Sequence, residues 1–286
     1  MSAQAFWSRL ALVGDFILDT PLRVSAQNVG IVTDAEGRPI IPGSTFRGAL
    51  RSYIESVLRG VYDESQNKRQ SVTLRGSDGR AAPVSRIVKL CCDSVDKRQD
   101  DLNYQGCLTS AIVAKWQADP VLRPNLDAAL VDCSCQVCRL FGAPWLAGKV
   151  FVADLQARDW AGTLQTRAGL SISRDRETAI EGSQYQRQSV PPGTRFSFQL
   201  SAENVSPVEQ GLILLGLRAF EVGLIGLGAD RARGLGYGRL AIDWSNCRYV
   251  DADHLIGALL GADPQVFTDG DADARISSLS HLLSKP

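Results

Sequence analysis

Residues 195–244 constrain the fold more than any other part of the chain. They run as an alternating segment, "RFSFQLSA", then a capped apolar segment, "SPVEQGLILLGLRAFEVGL", then a loop, "GADRARGLGYGRL", whose end merges into a second alternating segment, "YGRLAIDW". Alternation at period two marks a strand with one buried face. The apolar segment has Ser206 where a helix N-cap belongs, Pro207 at the first helical position and Glu209 three residues after the cap, a capping box. The loop sets Gly228, Gly234, Gly236 and Gly238 beside Arg231, Arg233 and Arg239. Such a loop suits a polyanion: backbone N–H groups can approach a phosphate closely while the guanidiniums supply charge. Alone, it is more often a turn with solvated arginines, and its surroundings have to decide.

The same order occurs once earlier. Residues 6–24, "FWSRLALVGDFILDTPLRV", alternate and read as one strand or two crossing a half-buried sheet. A turn-rich loop over 35–44 ends at Ser44, which can cap a helix. Beyond it Phe46, Leu50, Ile54, Val57 and Val61 share one helical face, while Arg47 and Arg51 are i,i+4 neighbours on another. "KVFVADLQARDW" returns to strand-like alternation. Strand, helix, strands, helix, strand predicts an α+β fold with a ferredoxin-like (RRM-like) core, an antiparallel sheet carrying two helices on one face. One domain is expected over 1–250, with a polar, aperiodic loop at 62–86, a cysteine-rich region at 88–142 and a protruding hairpin arm at 170–192. Residues 251–286 hold two short amphipathic segments and read as a C-terminal appendage. Within them "DGDAD" (269–273) is similar to a calcium-binding loop, but Ala274 and Ser280 stand where that loop needs glycine and glutamate. It reads as a solvated acidic turn.

Composition excludes several functions. Formal net charge is zero, so no global basic field draws nucleic acid. Of 31 basic residues, 25 are arginine and six lysine. Arginine's planar fork pairs bidentately with phosphate, although codon usage would give the same skew. No apolar window reaches the roughly 18 residues that span a bilayer, and "MSAQAFWSRL" lacks a signal-peptide pattern, so a cytoplasmic protein is expected. The two histidines, His254 and His281, sit near no nucleophile motif, which disfavours Ser–His–Asp, Cys–His and histidine-driven ribonuclease chemistry. Six of the seven cysteines fall between Cys91 and Cys138. In a reducing compartment such clustering reads as metal binding before disulfides. Cys135 and Cys138 form a C-x-x-C knuckle, a zinc signal when a second pair exists.

Three segments stand in a telling order: "GRPIIPGSTFRGALRSYIE" (37–55), "CSCQVCRLFG" (133–142) and "GLGADRARGLGYGRL" (226–240). A fourth, "SRDRETA" (173–179), leads into "VPPGTRFSFQL". Together they resemble the RAMP superfamily (repeat-associated mysterious proteins), in particular the backbone subunits of type III CRISPR effector complexes. The resemblance implies a subunit of an antiviral ribonucleoprotein that stacks with neighbouring subunits along a guide RNA and its target RNA. Such subunits grip phosphates rather than read bases, and an arm kinks the guide:target duplex.

The resemblance also implies sites. RNA contacts are expected at Gly43, Ser44, Arg47 and Arg51 around the first helix, at Arg174 and Arg176 in the arm, and at Gly228, Arg231, Arg233, Gly234 and Gly236 in the glycine-rich loop. Structural Zn2+ is expected on Cys92, Cys107, Cys135 and Cys138, with Cys91 and Cys133 as adjacent thiols either of which could replace its neighbour. Cutting relatives place an Asp in the loop after the first strand, where a divalent ion such as Mg2+ assists attack by the RNA 2′-hydroxyl. Here Asn28 falls on that position, an amide with no charge to hold a metal, with Asp34 at the pattern's second Asp and Asp19 nearby. A non-cutting subunit is therefore expected. A Mg2+-dependent endoribonuclease subunit and a stand-alone zinc-stabilised RNA-binding module are the alternatives.

Overall fold

The computed structural model describes residues 6–24, 30–61, 68–75, 81–88, 91, 110–120, 126–160, 162–169 and 185–280. Its sheet is organised by β1 (Ser8–Leu18), where Leu10, Leu12, Phe16 and Leu18 are buried. β1 lies between β9 (Arg195–Glu203) and β10 (Gly238–Ile242) and is antiparallel to both, which sets Phe16 level with Phe196 on one side and Leu240 on the other. β9 also pairs with β5 (Val150–Val152) and β6 (Leu155–Arg158), and β2 (Ile40–Ile41) extends the edge beyond β6. With α1 (Gly43–Val61) between β1 and β5, and α5 (Pro207–Glu221) between β9 and β10, the chain traces a βαββαβ path with strand order β10–β1–β9–β6. That is the ferredoxin-like arrangement the alternating pattern predicts.

The two helices cover one face of the sheet. Phe46 of α1 stacks on Phe220 of α5 with ring centroids 4.2 Å apart, and Phe16 of β1 meets both edge-on at 6.2 and 6.1 Å. Burying each such side chain contributes about 1.5–3 kcal/mol. Gly216 lets the helices approach: a Cβ there would lie 2.3 Å from a Leu50 methyl. The capping box forms as the sequence predicts. Glu209 N–H donates to Ser206 Oγ at 3.3 Å and Ser206 N–H donates to Glu209 Oε2 at 2.8 Å. Lys149 Nζ donates to both Glu209 oxygens at 2.8 Å, so the buried carboxylate is paired.

Three segments differ from expectation. The stretch expected as a loop at 62–86 carries β3 (Lys68–Arg75) and β4 (Ala81–Val88), an antiparallel ribbon pairing Lys68 with Val88. Neither strand alternates cleanly in hydropathy, so pattern alone could not reveal it. The tail expected as an appendage joins the main body: β11 (Arg248–Asp251) pairs with the start of β1, β12 (Gln265–Val266) pairs with β11, and Phe267, Ala272 and Leu279 are buried in the main core. Between these strands α6 (Leu255–Leu259) is a single exposed turn and a half. The acidic "DGDAD" opens α7 (Asp269–Ser277), capped by Thr268 with Asp271 as the reciprocal acceptor, rather than forming a solvated turn. α2 (Ser110–Ala118), α3 (Leu126–Asp132) and α4 (Gln136–Phe141) form the cysteine-rich region, where Val113, Trp116, Ala129, Leu130 and Cys133 make a small second core. β7 (Gln165–Gly169) and β8 (Tyr185–Ser189) form a ribbon at the base of the expected arm.

Candidate nucleic-acid interface

The glycine-rich loop between α5 and β10 is fastened to the exit of β1. Leu227 N–H donates to the Gly236 carbonyl at 2.7 Å, Gly236 N–H to Pro21 at 2.8 Å and Ala229 N–H to Arg23 at 2.9 Å. Two glycines are required here for separate reasons that coincide. Gly228 (φ 75°) and Gly236 (φ 82°) both have left-handed backbone. A Cβ on either would also strike a carbonyl oxygen, at 2.3 Å from Arg23 and 1.9 Å from Leu227 respectively. The segment between them makes one 3-10 turn, Arg231–Arg233, closed by Gly234 at φ 80°. An open depression of about 470 Å³ results, lined by Gly228, Asp230, Arg231, Ala232 and Tyr237. Arg231 stands exposed on it with no ion-pair partner among the described residues.

Asp230 holds the loop together from inside. Its backbone is left-handed (φ 61°, ψ 26°) and its side chain is 15% exposed. The carboxylate accepts from Arg187 at 2.6 Å, Arg233 at 3.0 Å and Arg23 at 3.3 Å. Burial alone would raise its pKa, but the hydrogen bond and charge of Arg187, followed by Arg23 and Arg233, outweigh it and hold the carboxyl below its ordinary value. Sequence reading missed Asp230, Arg23, Arg187 and Tyr237. The first and last lie inside the quoted loop; Arg23 and Arg187 are far away in sequence and reach it only through the fold.

At the first helix the expected contacts separate. Gly43 N–H, expected to face an anion, donates to the Asp154 carboxylate at 2.8 Å, so a carboxylate of the protein already occupies that place. Ser44 lies exposed in the first turn rather than at the cap. Arg47 turns back onto the protein: Nε donates to the Val150 carbonyl at 3.0 Å, Nη2 donates to the Phe141 carbonyl, and the guanidinium lies 5.8 Å from the Phe141 ring centroid. Burial, and then the charge of Arg51, push its pKa down. Arg51 donates to Glu55 at 2.8 Å and to the Gly142 carbonyl at 3.2 Å. Both arginines, expected on RNA, here tie α1 to the segment after α4, because the helix packs directly against it. Arg174 and Arg176 lie outside the described residues.

A family model described as the RAMP superfamily matches residues 15–240. The chain belongs to the RAMP superfamily. The match begins within β1 and ends within β10, so it reaches every element of the ferredoxin-like core. Membership makes the chain a CRISPR-associated RNA-binding module. No curated protein matches it.

In this RAMP protein Asn28 lies outside the described residues. The two alternative carboxylates, Asp34 and Asp19, are both engaged. Asp34 accepts from Arg38 Nε at 2.7 Å and from the Arg38 and Glu36 backbone N–H groups at 2.8 and 3.1 Å. Partial burial pushes its pKa up, and these bonds from Arg38 and Glu36 pull it further down. Asp19 pairs with Arg239 at 3.0 Å across the β1–β10 exit.

The knuckle is formed in part by secondary structure. Cys135 is the N-cap of α4, and its sulfur accepts from Cys138 N–H at 3.3 Å. Both thiols are buried, and Arg51 Nη2 lies 3.9 Å from Cys138 Sγ. Cys135 Sγ thus receives a backbone N–H and Cys138 Sγ a guanidinium, and two cysteines at this spacing are the residue type that supplies zinc ligands. The donor set visible here fits half of a tetrahedral site. Cys92 and Cys107 lie outside the described residues; Cys91 and Cys133 are buried. No group of three or more His, Cys, Asp or Glu side chains positioned for a metal occurs among the described residues. Among the same residues no helix is long and apolar enough to cross a membrane.

Proposed function

We propose that this chain is a guide-RNA-binding backbone subunit of a type III CRISPR RNA-targeting complex, gripping phosphates without cutting the target. The observation that carries the reading is the loop between α5 and β10. Glycine geometry at 228 and 236 folds it back on the exit of β1 and leaves Arg231 exposed beside a depression large enough for a phosphodiester unit. Contacts made by backbone N–H groups and guanidiniums to phosphate carry no sequence information, which suits a protein whose guide changes sequence. Non-cutting follows from Asn28 at the expected aspartate position, and the ion pairs of Asp34 and Asp19 with arginines support it. Neighbouring subunits and a target RNA are the partners of this assembly, with the arm over 170–192 as the element that kinks the duplex.

Zn2+ belongs to the same reading as a structural ion. Cys135 and Cys138 would supply two ligands and Cys92 and Cys107 the others, and the bound ion would cross-link the region between β4 and β5. Metal analysis of purified protein tests this: one zinc per chain, lost in Cys138→Ser, is the expected result, and zinc-free native protein excludes it.

The decisive experiment is co-expression with neighbouring genes, purification of any complex, and sequencing of the RNA that comes with it. Short RNAs of uniform length with repeat-derived ends are expected. Random cellular RNA, or none, removes the CRISPR placement. If the purified complex cleaves a matched target and Asp34→Ala abolishes cleavage, the non-cutting assignment is wrong.

A further inference from the structure

We propose that Asp230 is a positioning residue for RNA binding, gathering Arg23, Arg187 and Arg233 into one phosphate-facing cluster; this rests on the RNA-binding reading above. The three arginines come from three places: the exit of β1, the β7–β8 ribbon and the loop itself. One carboxylate holds all three within 3.3 Å, so three guanidiniums gather around a single anionic group. Arg231 adds a further guanidinium on the rim.

The ribbon supplies a second, independent sign that this region is built around an anion. Arg187 stands directly opposite Arg167 across β7 and β8. Like charges in that position repel. Arg167 is exposed and has no ion-pair partner among the described residues, while Arg187 is drawn to Asp230. The carboxylate thus offsets a repulsion built into the ribbon and links the base of the arm to the glycine-rich loop. A phosphate arriving here meets donors already aligned, and the cost of immobilising three long side chains has been met in folding rather than in binding.

If Asp230 were only a competing anion, removing its charge would tighten RNA binding. If it positions the arginines, the same change weakens binding although the protein becomes more positive. Asp230→Asn is well suited, since asparagine tolerates the left-handed backbone as aspartate does and has nearly the same shape. Asp230→Glu leaves net charge unchanged and displaces the carboxylate by one methylene.

The test titrates the purified full chain with a labelled, mixed-sequence single-stranded RNA across a KCl series, for the unaltered protein, both Asp230 variants and Arg231→Ala. Thermal melting checks that each variant is folded. Expected for Asp230→Asn is about tenfold weaker binding. The slope of log affinity against log salt should flatten by about 0.7–1.4, the loss of one or two phosphate contacts. Asp230→Glu should weaken binding in the same direction, and it carries the test if Asp230→Asn does not fold. Asp230→Asn binding as tightly or more tightly, or Asp230→Glu binding like the unaltered chain, overturns the positioning role while leaving RNA binding intact. No RNA binding by the unaltered chain, or Arg231→Ala indistinguishable from it, overturns the reading beneath and the role of Asp230 with it.

Discussion

The guanidinium of Arg47 donates to two backbone carbonyls and lies over the Phe141 ring, whereas that of Arg231 stands exposed at the rim of the loop depression. The two should therefore fail in different assays. Arg47→Ala strips two carbonyls of a charged donor and is expected to lower stability by about 2–3 kcal/mol in urea unfolding. Arg231→Ala should leave the urea midpoint within about 0.5 kcal/mol of the parent while weakening RNA binding. Sequence offers no way to separate them. Both arginines follow a glycine-bearing turn, and only the approach of residues 141–150 to α1 turns one inward. Asp230 adds a pH signature at the same scale. Its folded-state carboxyl sits below the ordinary value of 3.8, so the stability it contributes is complete above that value and is lost as pH falls through the folded one. Acid unfolding of Asp230→Asn should accordingly lack part of the loss the parent shows below about pH 4.

Elements were legible where their signal is local or where one face is buried. The capping box of α5 needs only residues 206–209, and it forms as read. β1, β9 and β10 bury alternate side chains, so their period-two pattern is written in the sequence. β7 has four of its five residues exposed, and a ribbon wet on both faces has no hydropathy period to display. The site divides the same way: Arg231 and the glycines lie in one quoted stretch, while Arg23 and Arg187 join it through contacts separated by 207 and 43 residues. The cap of α5 also carries more than a cap usually does. Ser206→Ala removes one acceptor and should cost about 1 kcal/mol. Glu209→Ala also leaves the partly buried Lys149 ammonium and the Ser206 N–H without a partner, so its loss should be larger, about 2–3 kcal/mol. Chemical denaturation of the two variants side by side checks the order; equal losses would mean the Lys149 pair contributes nothing.

At the scale of the whole molecule, the segment after Asp251 decides how far the body extends. Three connections bind it to the core. β12 lengthens the sheet through β11, and Phe267 N–H donates to the Cys247 carbonyl at 3.0 Å. Arg218 of α5 donates to Asp269 and, at 2.8 Å, to Asp273, and its guanidinium lies 5.6 Å from the Trp244 ring centroid. Gly211 of α5 faces α7 so closely that a Cβ would sit 2.6 Å from the Arg275 carbonyl and 3.0 Å from Leu279. A two-residue strand and a helix opening on three aspartates carry almost no periodicity, which is why the sequence makes this segment look detachable. Removing residues 252–286 takes away the buried Phe267, Ala272 and Leu279, exposes the core surface they cover, and is expected to cost about 3–5 kcal/mol. Because deletion also shortens the chain, Gly211→Leu in the full-length protein gives the complementary reading. The added side chain has no room between α5 and α7, and the helix must move out. A loss comparable to the deletion places the stabilisation in that contact. A deletion that leaves the unfolding midpoint unchanged would make the tail an appendage after all, and would end the stable body at β11.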